Sequence, residues 1–103
     1  MEFKNLLYDI KDEIGVLTIN RPEKLNALNS ETVSEIGRAM DAIKGDDNIK
    51  VVILTGAGDK AFVAGADVSE FVGIGLKEGF EFSRNFHAMT RKVETMGKPV
   101  IFL

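Results

Sequence analysis

The chain has no cysteine among its 103 residues, so it holds neither a disulfide framework nor a zinc–thiolate site. It has a single histidine, His87, whose spacing suggests no partner. That leaves His87 a surface or half-buried helix position rather than a catalytic one. No apolar run approaches the roughly 20 residues of a membrane span. The N-terminal stretch "MEFKNLLYDI" lacks the apolar core of a signal peptide. Charge of one sign is not concentrated either: 13 Lys and Arg stand against 16 Asp and Glu, a net −3, and the basic residues are scattered. Binding a phosphate backbone needs clustered positive charge, so a nucleic-acid partner is not expected. There is no internal repeat and no low-complexity segment. The expectation is a cytoplasmic chain with neither a membrane nor a nucleic acid as partner.

What is present reads as ordinary globular protein, 45% hydrophobic and 28% charged. The length allows one domain at most. Such a chain buries roughly 60–70% of its unfolded surface, enough for a modest core. "NLLYDIK" and "EIGVLTIN" carry apolar residues at strand spacing around the charged corner Lys11-Asp12-Glu13, which predicts an antiparallel hairpin. Leu17 and Ile19 would face one side, Val16 and Thr18 the other. Pro22 and the asparagines make "RPEKLNALN" a loop.

Val33, Ile36, Met40 and Ile43 form one helical stripe over Ser30–Lys44, with Ser30 as the expected N-cap, Glu31 in the first turn and Gly45 at the end. "KVVILTG" predicts a buried parallel strand. A second helix is expected over about Lys77–Met96, its stripe being Phe82, Phe86, Met89, Val93 and Met96, stopped by Gly97 and Pro99. That stripe reads as core or contact surface. The order β-β-α-β-loop-α-β is an α/β architecture. The final "GKPVIFL" is an apolar strand pattern that stops abruptly. Residues 1–103 are therefore expected to be the N-terminal part of a single domain, truncated in the strand starting near 98.

Between Thr55 and the second helix, small residues crowd: Gly56, Ala57, Gly58, Ala61, Ala64, Gly65 and Ala66. Loops after the carboxyl ends of strands are where α/β proteins bind ligands. Alanine and glycine leave main-chain N–H groups uncovered, and such donors can stabilise an oxyanion. A tight, closely packed turn would use the same residues. Asp67 also reads as the start of a capping box, "DVSE", with Glu70 reaching back. "GAGDKA" matches a dinucleotide fingerprint, but its acidic candidates Glu78 and Glu81 fall in a helical pattern instead of at a strand end, so that reading is set aside.

Taken together, "INRPEKLNALN", "VVILTGAGDKAFVAGADVSEF" and "GKPVI" resemble the crotonase, or enoyl-CoA hydratase/isomerase, family, and within it the short-chain hydratases (crotonases, or 3-hydroxybutyryl-CoA dehydratases). The resemblance covers essentially the whole chain. It implies the N-terminal part of a crotonase-type ββα spiral core. It also implies a lyase of fatty acid metabolism that reversibly hydrates a 2-enoyl-CoA to a 3-hydroxyacyl-CoA, as a homotrimer or dimer of trimers. The acyl-CoA is the substrate, and no cofactor or metal is implied. By motif match the backbone N–H of Ala64 is one of two oxyanion donors to the thioester carbonyl. Gly65 follows it, and Ala66, Asp67 and Val68 would line the adenine pocket. Lys24, Leu25 and Ala27 would contact the CoA moiety, with Lys24 near phosphate; a solvated surface lysine is the other reading of Lys24. Ala27 and Leu28 would serve as pocket wall and ordinary packing.

In the family the strand begun by "KPVI" continues into "AAVNG"-like residues and a glycine-rich turn. The second oxyanion N–H and the glutamate pair that handles water lie there, past Leu103. Glu70, Glu78 and Glu81 align with neither glutamate and are expected on a helix surface or at a cap. Two rival readings follow. One is another family reaction, such as isomerisation. The other is a catalytically incompetent fragment that keeps part of a CoA-binding or association surface.

Overall fold

The computed structural model describes residues 2–58 and 75–103. Strands β1 (Leu6–Lys11) and β2 (Ile14–Ile19) pair antiparallel, Leu6 opposite Ile19 and Lys11 opposite Ile14. The corner between them turns on Asp12 and Glu13, both at positive φ (50° and 69°). A short 3-10 turn, Pro22–Lys24, sits inside the segment expected to be plain loop. Then come α1 (Ser30–Lys44), β3 (Val51–Gly56), α2 (Leu76–Glu94) and β4 (Val100–Phe102). The strands form one sheet in the order β1-β2-β3-β4, and β3 runs parallel to both neighbours. This is the mixed α/β architecture that the element order predicts.

Hydrophobic burial fixes which face of each element points inward. Leu17 and Ile19 of β2 and Val52 and Leu54 of β3 point into the core against Val33, Ile36, Ala39, Met40 and Ile43 of α1. The predicted α1 stripe is buried throughout, and Thr32, Glu35 and Ala39 are buried with it. The buried face is wider than a stripe because α1 meets more than the sheet. Helix α2 lies against it, through Met89 and the ion pair Lys92–Asp41 at 2.7 Å. The N-terminal segment is clasped by Glu35, whose Oε1 accepts the Asn5 N–H at 2.9 Å and whose Oε2 accepts the Lys4 N–H at 3.2 Å.

Three local expectations change, while Gly45 ends α1 as expected. Asn29, not Ser30, is the N-cap of α1: it lies outside the helix in extended backbone, and its Oδ1 accepts the Thr32 N–H at 2.9 Å. Gly45 ends α1 with φ −83°, without the left-handed turn that glycine permits. Lys98 serves that end instead, its Nζ donating to the carbonyls of Ile43 at 2.6 Å and Asp46 at 2.7 Å. Strand β3 alternates, Val52 and Leu54 buried and Val51 and Ile53 half-buried, so among the described residues it is fully covered on one face. The second helix runs 76–94, shifted slightly from 77–96. Its first turn is closed by Glu78, whose Oε2 accepts the Gly75 N–H at 3.1 Å, and beyond it Gly97 turns at φ +80° before Pro99.

Candidate functional site

Strands β2 and β3 are parallel, so the segments that leave their carboxyl ends emerge side by side. This is the edge of an α/β sheet where ligands are bound. After Ile19 the chain meets Pro22 at the first position of the 3-10 turn, where its fixed φ suits the geometry. Leu25 and Asn26 then take left-handed backbone, φ 53° and 58°. Asparagine tolerates this region, whereas a leucine there stores strain of order 1–3 kcal/mol. Leu25 is nonetheless 45% exposed, so burial of its side chain does not explain the strain.

The loop is held from within. The N–H groups of Lys24 and Asn26 donate to the Arg21 carbonyl, at 3.0 and 2.8 Å, and the Leu25 N–H donates to Pro22 O at 3.1 Å. Arg21 Nη1 donates to the Ala27 carbonyl. The segment after β3 starts by hydrogen-bonding the end of β2, Ala57 N–H to Ile19 O at 2.8 Å. Gly58 follows at φ +81°, and a Cβ there would stand 3.5 Å from Pro22 Cβ. The two loops therefore approach each other at Pro22 and Gly58.

Of the residues expected in the site, Lys24, Leu25 and Ala27 come together on the first loop: Lys24 and Leu25 exposed, Ala27 half-buried. Leu28 packs in the core at 7% exposure, the ordinary-packing half of its expected role. Ala64, Gly65, Ala66, Asp67 and Val68, together with Glu70 and the proposed capping box at Asp67, lie outside the described residues. Glu78 is the cap of α2 and Glu81 is exposed on it, in keeping with their assignment to cap and surface. His87 is exposed on α2, edge-on to Phe86.

An apolar cleft of about 370 Å³ opens between α1, α2 and β4, lined by Ile19, Leu28, Ile36, Leu54, Met89 and Phe102 among others. It contains none of the predicted contact residues except the packing residue Leu28. Sequence reasoning did not single out Arg21 and Asn26, which are 9% and 1% exposed. The available signal was two polar residues in a loop next to apolar neighbours, and that pattern does not distinguish a solvated loop from an internally bonded one.

A sequence model of the family described as Enoyl-CoA hydratase/isomerase matches residues 14–103. The chain is 44% identical over 101 residues to the Short-chain-enoyl-CoA hydratase of Clostridium acetobutylicum, covering 98% of this chain and 39% of that protein. It is 40% identical over 101 residues to the Crotonyl-CoA hydratase of Syntrophomonas wolfei, with the same coverage of 98% and 39%. The fold superposes on the crystal structure of an enoyl-CoA hydratase from Bacillus anthracis with a TM-score of 0.93 at 31% identity, covering 96% of this chain and 39% of that one. The chain belongs to the enoyl-CoA hydratase/isomerase family, and its fold is that of the crotonases. It spans about two fifths of the length of the curated relatives it matches, 39% in both hydratases.

Proposed function

We propose that the protein carrying this chain adds water reversibly to a short 2-enoyl-CoA, giving the 3-hydroxyacyl-CoA, in the cytoplasm and as a homo-oligomer. The observation that carries the reading is the 44% identity to a protein named Short-chain-enoyl-CoA hydratase, running through both loops at the carboxyl ends of β2 and β3. In this reading Lys24, Leu25 and Ala27 hold the CoA moiety, with the Lys24 ammonium near phosphate. Ala66, Asp67 and Val68 line the adenine pocket. The Ala64 N–H, flanked by Gly65, donates to the thioester oxygen.

The chemistry then follows from charge. As water gives up a proton to a base, its oxygen bonds to the β-carbon, the C=C π-electrons move toward the thioester, and negative charge collects on the thioester oxygen. A proton delivered to the α-carbon restores the carbonyl. A fixed N–H aimed at that oxygen stabilises the enolate-like transition state more than the ground state, which raises kcat. Main-chain dipoles handle the charge, so the proposal calls for no metal and no redox group. By the family resemblance neither Glu78, engaged as a helix cap, nor Glu81, on the exposed helix surface, is assigned to the proton transfers.

The test is hydration of crotonyl-CoA, followed from both directions as loss and return of the enoyl thioester absorbance. Formation of 3-hydroxybutyryl-CoA is the expected result. A double-bond-shifted product without hydration would favour the isomerase half of the family description. No reaction in either direction would overturn the proposal.

A further inference from the structure

Asn26 joins the two loops through its side chain. Its Oδ1 accepts the Arg21 N–H at 3.0 Å within the first loop, and its Nδ2 donates to the Ala57 carbonyl at 2.9 Å in the second. It is 1% exposed, and it sits in left-handed backbone directly after the strained, exposed Leu25. A primary amide offers a donor and an acceptor at a fixed separation, and this one spends them on two different segments.

We infer that Asn26 is a positioning residue: it sets the distance between the loop that carries Lys24, Leu25 and Ala27 and the start of the second loop at Ala57. The inference rests on the proposed function, in which the first loop meets the CoA moiety near its phosphate and the second carries the thioester donor together with the adenine-lining residues. A substrate anchored on both loops reacts only if the two anchors are in register, and a misplacement of about 1 Å can cost about 100-fold. A carboxylate at position 26 keeps the acceptor for Arg21 N–H but turns oxygen against oxygen at Ala57. The first loop is then still formed, and the bracket to the second is lost.

The experiment compares crotonyl-CoA with crotonyl-pantetheine, which lacks the nucleotide and does not span both loops. In the wild-type protein kcat/KM is expected to be higher for the CoA thioester. Asn26→Asp should shrink that preference about 10-fold or more, mainly through kcat, while crotonyl-pantetheine turnover changes less than about threefold. Lys98→Met, which removes the two bonds closing the carboxyl end of α1, should lower the melting temperature and leave the preference unchanged. If Asn26→Asp fails to fold, Asn26→Ser, too short to reach Ala57, carries the same comparison.

The inference is overturned if a folded Asn26 variant keeps the wild-type preference, or if both thioesters lose turnover in parallel as melting temperature falls. A wild-type protein that turns over neither thioester overturns the hydratase proposal itself, and this inference with it. That outcome is visible before any variant is made.

Discussion

Leu25 carries backbone strain without burying its side chain, which is the pattern of a residue held for contact with something outside the fold. Replacing it with glycine separates the two roles. Glycine adopts φ near +53° without a Cβ penalty but adds chain entropy to the unfolded state. Leu25→Gly should therefore shift stability by no more than about 1 kcal/mol, toward greater stability, in a urea or thermal melt. CoA affinity, read by calorimetry, should weaken. A large loss of stability would instead make Leu25 a packing residue. The neighbouring asparagines show how one residue type fills two jobs in a single loop, Asn26 bridging segments and Asn29 capping a helix.

The capping assignment is tested on the element it starts. Asn29→Ala should cost about 1 kcal/mol, because it orphans the Thr32 N–H at the start of α1, whereas Ser30→Ala should cost a few tenths, roughly the change in intrinsic propensity. Equal losses would contradict the observed cap. Most of the fold was legible at this scale. The stripe Val33, Ile36, Met40 and Ile43 located α1, and the alternation at Val16 to Ile19 divided β2 correctly into two faces, because both patterns report burial directly. Part of what escaped was set by contacts distant in sequence. Lys98 closes the end of α1 from 55 residues away, and Glu35 holds Asn5 from 30 residues away. Local pattern contains no trace of either partner. The site was partly legible for a different reason. The motif gave Lys24, Leu25 and Ala27 their place on one loop, but motif spacing does not say that the loop is bolted to the next by Asn26.

At the scale of the molecule, the sheet presents β4 as an edge among the described residues, with Ile101, Phe102 and Leu103 exposed by 45%, 55% and 67%. A strand edge flanked by exposed apolar side chains pairs readily with another chain. Residues 1–103 prepared by themselves should therefore self-associate in size-exclusion chromatography. A monomer at high concentration would contradict that reading of the edge.

The account as a whole turns on a main-chain amide, and Ala64→Pro in the protein carrying this chain removes that N–H. With folding checked by circular dichroism and CoA affinity measured alongside, kcat for crotonyl-CoA hydration should fall by about 100-fold, the magnitude of one lost oxyanion donor. A folded variant that binds CoA and keeps the wild-type kcat would contradict the account.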